Sequence, residues 1–284
     1  MNKIKIVTDT DSSLPVELAA QYGIDQVPIT IQFGEETYET GVNIDDRLLF
    51  EKIDALGKLP TTAAPSPAAF NAAFTKAFAE GADSIICVVV GSKISRTCDS
   101  ALVAAGEFPG RLITVVDSDY LSLGQGFMAI AAAEAVAAGA SHADAAHAAR
   151  SILPRLHLYG SLTTLKYLAM GGRTSQVSAN MANFLNIRPI MTMIDGKLGL
   201  LEKVRTHKVA MSRLVRLIEK SVDGKEIEKA GIVHVNNPQD ADLLEARLRT
   251  DLPMPADILR AEFTPGLSVH GGTGLIAAVL LTKD

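Results

Sequence analysis

Tryptophan is absent from the 284-residue sequence, and aromatic residues make up only 5% of it. The core must therefore be built from Ala, Val, Ile and Leu, which favours helices packed on sheets. Cysteine is almost as scarce, because only Cys87 and Cys98 are present and they lack the paired spacing of a zinc site. We expect no disulfide and no structural metal, and reduced cysteines suit a cytoplasmic protein.

Charge and hydrophobicity are not concentrated in any one segment of the chain. The net charge is −5, and no run of Lys and Arg is dense enough to neutralise a nucleic-acid backbone. The N-terminal MNKIKIVTDTD enters a strand-like alternation at once, without an apolar segment of the length of a signal peptide or a membrane span. We therefore expect a cytoplasmic protein with no nucleic-acid partner and no stable membrane insertion.

The sequence also lacks the common catalytic motifs. No GxxxxGK[ST] loop or kinase catalytic loop is present, and GLSVH (266–270) lacks the second glycine of a nucleophile elbow. GQGFMA (124–129) imitates a dinucleotide fingerprint but has no acidic ribose partner, so we interpret it as close helix packing. From these absences we predict that the chain has no cofactor and no catalytic residues. We also predict that it is not an enzyme by itself.

Two halves of the chain differ in their periodicity. SIICVVVG (84–91) and RLITVVDS (111–118) are continuous apolar runs separated by a helical pattern, as in a parallel sheet buried on both faces. After residue 155, strands predominate, and two of them meet at Asp195-Gly196, a strong hairpin signal. The pattern predicts an α/β protein with a parallel-sheet α/β domain over 1–155 and an α+β domain with a mainly antiparallel sheet over 156–284.

Four polar stretches are expected to lie at the ends of strands. They are VTDTDSS (7–13), TTAAPSP (61–67), GSKISRT (91–97) and SVHGGTG (268–274), which we interpret as hydroxyl-rich turns. Helix capping accounts for each stretch taken alone, whereas a ligand site at the strand ends accounts for all of them together. Arg173, in GGRTS (171–175), either compensates a helix dipole or clamps an anion, and the sequence leaves both alternatives open.

An ordered series of motifs over nearly the whole chain resembles the DegV family of bacterial fatty acid-binding proteins. The motifs are VTDTDSSLP, PTTAAPSP, SKISRTCDSA, VVDS, LAMGGRTS, RPIMTMIDGKL and TPGLSVHGGTG. The resemblance implies a two-domain α/β fold that holds one long-chain fatty acid in a tunnel, with its carboxylate at the domain junction. In some members of the family, a separate kinase subunit phosphorylates the bound fatty acid to an acyl phosphate for phospholipid synthesis.

The same resemblance assigns roles to individual residues of this chain. It implies that Thr62, Ser95 and His270 hold the carboxylate, that Arg173 lies close to the head group, and that Arg205 contacts the kinase or its phosphate. The glycines beside His270 would let backbone N–H groups approach the anion. Apolar candidates for the tunnel wall, which ordinary core packing explains nearly as well, are Phe184, Ile190, Met191, Met193 and Ile194.

Two departures from the family pattern lie near the predicted head group. The family usually has Thr-Ser-Gln where this chain has Thr62, Ala63 and Ala64, and Ser-Gly-Thr where this chain has Arg96 between a serine and a threonine. The Arg96 guanidinium either points to solvent or adds a charge beside the ligand. An alternative function is an enzyme acting on a small phosphorylated or carboxylated metabolite, with His270 as the base and Ser95 as the nucleophile.

Overall fold

The computed structural model of the protein describes residues 3–172 and 187–284. In chain order, the helices of these residues are α1 (Val16–Gln21), α2 (Asp46–Leu56), α3 (Pro67–Ala79), α4 (Thr97–Gly106), α5 (Leu123–Ala137), α6 (His142–Ser151), α7 (Lys166–Met170), α8 (His207–Val222), α9 (Pro238–Asp251) and α10 (Pro265–Gly271). The strands are β1 (Ile4–Asp9), β2 (Ile24–Val27), β3 (Thr30–Phe33), β4 (Glu36–Glu39), β5 (Thr61–Ala63), β6 (Ser84–Val89), β7 (Leu112–Asp117), β8 (Leu156–Ser161), β9 (Arg188–Ile194), β10 (Lys197–Val204), β11 (Ile227–His234), β12 (Leu259–Glu262) and β13 (Ile276–Thr282). Within these described ranges, no helix has both the length and the apolar character needed to cross a membrane.

The described chain forms two compact units. The first contains the described residues up to Asn43 and the segment Thr62–Pro154. The second contains Ile44–Thr61 and the described residues from Arg155 onward. The segment that carries α2, which the sequence analysis assigned to the N-terminal domain, thus belongs to the second unit.

A four-stranded parallel sheet with the strand order β2-β1-β6-β7 forms the centre of the first unit. β6 is buried along its whole length, in agreement with the continuous apolar run in its sequence. Ile85, Cys87 and Val89 of this strand share a core cluster with residues of α3 and α4. Phe70 and Phe74 are the largest side chains of α3 in that cluster and are fully buried. The predicted parallel α/β sheet is therefore confirmed.

A six-stranded sheet with the order β10-β9-β8-β13-β11-β12 forms the second unit. Its strand pairs are antiparallel except for β11 and β12, which are parallel. Asp195 and Gly196 both have positive φ, 50° and 74°, so the predicted hairpin turn between β9 and β10 is confirmed. The apolar faces of α8 and α9 pack on this sheet, with Leu214 and Leu244 fully buried between them. The predicted mainly antiparallel second half is confirmed as well.

Two local interpretations do not hold. Capping of the following helix, one alternative for VTDTDSS, is not observed at α1, because Thr10–Ser12 form a 3-10 turn, Ser13 adopts a left-handed conformation, and Pro15 stands at the cap position. SVHGGTG was interpreted as a turn, but its first four residues belong to α10. That helix follows Thr264, has Pro265 in its first turn and ends before a glycine with positive φ, so its boundary signals were present in the sequence.

Candidate functional site

Thr62 lies in β5 and is partly buried. Its stretch, TTAAPSP, also contains the residue that caps the next helix, because the Ser66 hydroxyl accepts a hydrogen bond from the Ala69 N–H at 3.2 Å. Capping in this stretch is therefore the role of Ser66 and does not account for Thr62.

Ser95 lies in the turn that joins β6 to α4. The N–H groups of Ile94 and Ser95 donate to the carbonyl oxygen of Gly91 at 2.9 and 3.1 Å, which fixes the turn. The Ser95 hydroxyl forms a 2.9 Å hydrogen bond with the hydroxyl of Thr97, which is fully buried. The turn thus holds the partly buried Ser95 hydroxyl in place through its hydrogen bond with the buried Thr97 hydroxyl.

Gly91 makes that turn possible. A Cβ atom at this position would lie 3.0 Å from the backbone nitrogen of Tyr120, and the Gly91 N–H donates to the Tyr120 carbonyl oxygen at 2.8 Å. A side chain here would press on the backbone of the neighbouring segment, so glycine in the GSKISRT stretch permits the close approach.

Arg96 points to solvent. Its side chain is 87% exposed and pairs with Asp99, three residues further along, at 2.8 Å. Of the two alternatives left open by the sequence, the structure thus supports the solvent-facing one. This departure from the family pattern adds a surface ion pair to the first turn of α4.

His270 is the second-last residue of α10 and is partly buried, whereas the other residues of this helix are buried. The imidazole lies directly against the backbone of Gly171, at the end of α7, where an added Cβ atom would stand 2.2 Å from Nδ1. The first glycine of LAMGGRTS is therefore part of the packing that holds this imidazole, whereas a Cβ atom on Gly172 would meet nothing within 4 Å.

The glycines after His270 have a similar role. A Cβ atom on Gly272 would lie 2.2 Å from the Tyr167 ring, and one on Gly274 would lie 2.6 Å from the methyl group of Thr163. Gly272 thus accommodates Tyr167, near the start of α7, and Gly274 accommodates Thr163, which precedes that helix. The expectation that these two glycines bring backbone N–H groups to an anion does not fit, because their N–H groups donate to the carbonyl oxygens of Ser268 and Val235, both at 2.9 Å.

Behind His270, Ser268 connects α10 to α2. Its hydroxyl oxygen lies 2.8 Å from Asp46 Oδ2 and 2.9 Å from the carbonyl oxygen of Phe263, and both side chains are buried. Burial raises the pKa of Asp46 to about 8, against the opposing effect of the hydrogen bond with Ser268, and the negative charges of Glu262 and Asp45 add to the rise. Sequence reasoning missed both Asp46 and Ser268.

A signal for Asp46 was nevertheless available. In the pair Asp45-Asp46, only the first carboxylate is needed for capping, since Asp45 accepts the hydrogen bond from the Leu48 N–H at 2.7 Å. The second aspartate is not needed for the cap, so a tertiary contact was a possibility for it.

The VTDTDSS stretch forms a buried network within the first unit. Asp9 is fully buried and accepts hydrogen bonds from the N–H groups of Val90 and Asp11 and from the Gln125 side chain, at 2.8 to 3.0 Å. Burial raises the pKa of Asp9 to about 6, although these hydrogen bonds lower it. Thr8 accepts the second hydrogen bond from Gln125 and donates to the Val88 carbonyl oxygen.

Gln125 belongs to GQGFMA, and the glycines on both sides of it are packed tightly. A Cβ atom on Gly124 would lie 2.0 Å from the Tyr120 ring, and one on Gly126 would lie 2.9 Å from the carbonyl oxygen of Ser12. The interpretation of this segment as close helix packing is therefore confirmed.

The remaining predicted site residues are distributed as follows. Arg173 and Phe184 lie outside the described residues. Arg205 is exposed in the turn between β10 and α8, next to Thr206, whose hydroxyl caps α8.

The tunnel-wall candidates on β9 do not share one face. Ile190 is fully buried in the cluster under α8 and α9. Met191 is also buried and, as the next residue of the strand, projects from the opposite face together with the partly buried Met193. Ile194 is 48% exposed. The opposite face thus holds the two methionines, while Ile190 belongs to the helix-covered core.

Among the described residues, no group of three or more His, Cys, Asp or Glu side chains is arranged to hold a metal ion. The His, Ser and Thr side chains described above are instead hydrogen-bonding groups, suited to an anionic or polar ligand.

The strand orders and the motif-bearing turns define a two-unit α/β protein with one parallel and one mainly antiparallel sheet. A family model described as "Uncharacterised protein, DegV family" matches residues 3–283. A DegV domain-containing protein of Caldanaerobacter subterraneus is 33% identical over 273 residues, or 96% of each chain. The chain belongs to the DegV family.

Solved structures of the family are similar over the full length. A DegV family protein from Thermus thermophilus, described in terms of its fatty acid binding, matches with a TM-score of 0.91 and 28% identity over 99% of this chain and 100% of that one. DegV from Bacillus subtilis, described as a fatty acid binding protein, matches with a TM-score of 0.89 and 27% identity over 100% of both chains.

Proposed function

We propose that this protein is a cytoplasmic, non-enzymatic carrier that binds one long-chain fatty acid, with the carboxylate held by Thr62, Ser95 and His270 and with Arg173 close by. The observation that carries the proposal is the full-length likeness to DegV proteins described as binding fatty acids, in a chain that has the Ser95 hydroxyl bonded to Thr97 and the His270 imidazole packed on Gly171. No metal or other cofactor is part of the proposed function.

The hydroxyl pair of Ser95 and Thr97 suits a carboxylate. When Thr97 donates its proton to the Ser95 oxygen, the Ser95 proton is directed away from Thr97 and toward a ligand. Polarisation along such a chain strengthens the outer hydrogen bond, and a hydrogen bond to a charged group contributes about 1.5 to 3 kcal/mol. Arg96 does not compete with this arrangement, because it is paired at the surface.

The acyl tail is expected to supply most of the affinity. Burial of a methylene group contributes about 0.8 kcal/mol, so about 15 of them contribute on the order of 12 kcal/mol before ordering costs. Met191 and Met193 are suited to a tunnel wall, because an unbranched thioether side chain adapts to different tails. The head-group residues then position the carboxylate rather than retain the lipid.

We also propose that the bound carboxylate is presented to a separate kinase subunit, which phosphorylates it to an acyl phosphate for phospholipid synthesis. Arg205 is suited to contact that subunit or its phosphate, because it is exposed beside Lys203 and Lys208, and both of these are exposed too. The polar side chains proposed to bind the head group orient the carboxylate. None of them is a guanidinium that binds both carboxylate oxygens in a bidentate manner, which suits a group that must later attack phosphorus.

Mass spectrometry of the purified protein tests the carrier function directly. Gently denatured protein is expected to release a long-chain fatty acid in a one-to-one ratio. Delipidated protein should then bind a saturated fatty acid more tightly than the fatty alcohol of the same length, because only the acid carries the charge that the head-group residues recognise. A site that takes up no fatty acid but retains or turns over a sugar phosphate would support the alternative of an enzyme with Ser95 and His270 in catalytic roles.

A further inference from the structure

The helix that carries His270 is short and depends on tertiary contacts for its position. α10 has seven residues, and Thr264 at its N-terminus makes no side-chain cap hydrogen bond. Isolated helices of this length are unstable in water. The buried contact from Ser268 to Asp46 ties it to α2 across 222 residues of sequence. His270 lies two residues beyond this contact on the same short helix, so the contact supports the segment that carries the imidazole.

The proton count at this contact identifies the donor. The Ser268 hydroxyl has one proton, yet it lies 2.8 Å from Asp46 Oδ2 and 2.9 Å from the Phe263 carbonyl oxygen. A carbonyl oxygen only accepts, and an ionised carboxylate only accepts. Both contacts are full hydrogen bonds only when Ser268 donates to Phe263 and the Asp46 carboxyl group carries the proton that it donates to Ser268.

The surroundings of Asp46 favour the same protonation state. The residue is 2% exposed, and its second oxygen, Oδ1, has no hydrogen-bond partner among the residues that the structure describes. The charges that act on it, Asp45 at the N-cap of α2 and Glu262 at the end of β12, are both negative. An ionised carboxylate would therefore be buried with one bare oxygen beside two like charges, which is costly.

The other titratable side chains on the helices packed against α2 are His270 on α10 and, on α7, Lys166, which is exposed, and Tyr167, whose ring packs edge-on against Phe50 of α2. None of the three is among the groups that shift the pKa of Asp46. Burial and the two acidic neighbours raise the pKa of Asp46 to about 8, which favours the protonated form at neutral pH.

We propose that Asp46 is a positioning residue that acts as a neutral carboxylic acid: it donates its proton to Ser268 and thereby holds α10, and the His270 imidazole, in place for the ligand head group. The head-group part of this inference rests on the proposed function, whereas the protonation of Asp46 does not. Loss of the proton removes the donor, so that Ser268 can satisfy only one of its two acceptors, and the support of α10 weakens.

The test compares fatty acid affinity and the Asp46 carboxyl signal over the range from about pH 7 to about pH 9.5, which spans the raised pKa. The ¹³C resonance of the carboxyl group should titrate within this range in ligand-free native protein. Affinity for the fatty acid should fall about tenfold over the same range, since one net hydrogen bond is lost. The fatty acid itself remains ionised throughout.

Asp46→Asn separates protonation from packing. Its amide still donates to the Ser268 oxygen but cannot ionise, so the affinity of this variant should show no fall across the range. Asp54→Asn is the matched control, because Asp54 is an exposed aspartate on the same helix. It should keep the native pH profile.

An Asp46 carboxyl group that is already ionised at about pH 7, or an Asp46→Asn variant with the native pH profile, would overturn the inference. If Asp46→Asn does not fold, the carboxyl titration of the native protein decides alone. A native protein that binds no fatty acid at any pH would refute the proposed function, and the titration would still determine the state of Asp46.

Discussion

The His270 imidazole rests on the backbone of Gly171, so closely that a Cβ atom at position 171 would stand 2.2 Å from Nδ1. Gly171 has φ of −78°, which any residue can adopt, so the requirement for glycine is one of space and not of backbone conformation. The two glycine-rich motifs of the second unit thus meet, because Gly171 of the first leaves the space that His270 of the second fills.

Gly171→Ala should displace the imidazole. The added methyl group overpacks a tight contact, for which a cost of about 1 to 3 kcal/mol is typical. We expect a lower free energy of unfolding in urea and a shifted His270 ring signal in NMR spectra. Gly106→Ala is the control, because a Cβ atom there meets nothing within 4 Å. Equal stability of the two variants would show that the His270 ring moves aside freely.

His270→Ala should separate lipid binding from phosphoryl transfer. The variant is expected to fold and to co-purify with fatty acid, because the tail supplies most of the affinity. Transfer by a partner kinase should fall about a hundredfold, since a misplacement of about 1 Å in a reacting group has an effect of that size. The measurement is acyl phosphate formation beside bound lipid, with the exposed His147→Ala as the control. Full transfer without the imidazole would remove His270 from the head-group site.

Ser95→Ala and Thr62→Ala should each reduce the preference for a fatty acid over the matching fatty alcohol, because each removes a proposed donor to the charged head. A loss of about 1.5 to 3 kcal/mol is expected for the acid and little change for the alcohol. Thr97→Val keeps Ser95 but removes its supporting hydroxyl, so its effect should be intermediate. An unchanged preference in both alanine variants would contradict the assignment.

Arg205→Ala should weaken phosphoryl transfer while leaving lipid content unchanged, because Arg205 is proposed to contact the kinase or its phosphate and not the fatty acid. Reconstitution with a candidate kinase subunit, over a range of kinase concentrations, measures the effect. Lys220→Ala removes an exposed cation from the far end of α8, about 20 Å away at 1.5 Å per residue, and serves as the control. Identical transfer by the two variants would argue against a kinase contact at Arg205.

His142 should make stability fall in mild acid. Its ring nitrogens hydrogen-bond the hydroxyls of Ser84 and Thr114 at 2.9 and 2.8 Å, and burial lowers its pKa below the ordinary value of 6.5. The unfolded chain therefore takes up the proton first, so this contribution is fully present above about pH 6.5 and is lost as the pH falls through the folded-state pKa. Urea unfolding of native protein and His142→Gln at several pH values should show a smaller acid slope in the variant. Parallel slopes would exclude His142 as the source.

Much of the fold was determined by signals that lie within short stretches of sequence. Ser84–Val89 is apolar throughout and forms a strand buried on both faces, and Asp195-Gly196 supplies the two positive φ values of a hairpin. Such signals depend on neighbours along the chain, so they can be identified without coordinates. The ordered motifs likewise identified the family.

The tertiary structure alone decided the state of the residues behind the proposed site. Asp45 and Asp46 are adjacent and chemically identical, yet the first caps a helix at the surface and the second is buried against Ser268, 222 positions away. The sequence likewise did not predict the exposure of Arg96 or the packing of His270 on Gly171. Burial, close approach and a raised pKa arise from contacts between distant segments, and local periodicity carries no information about them.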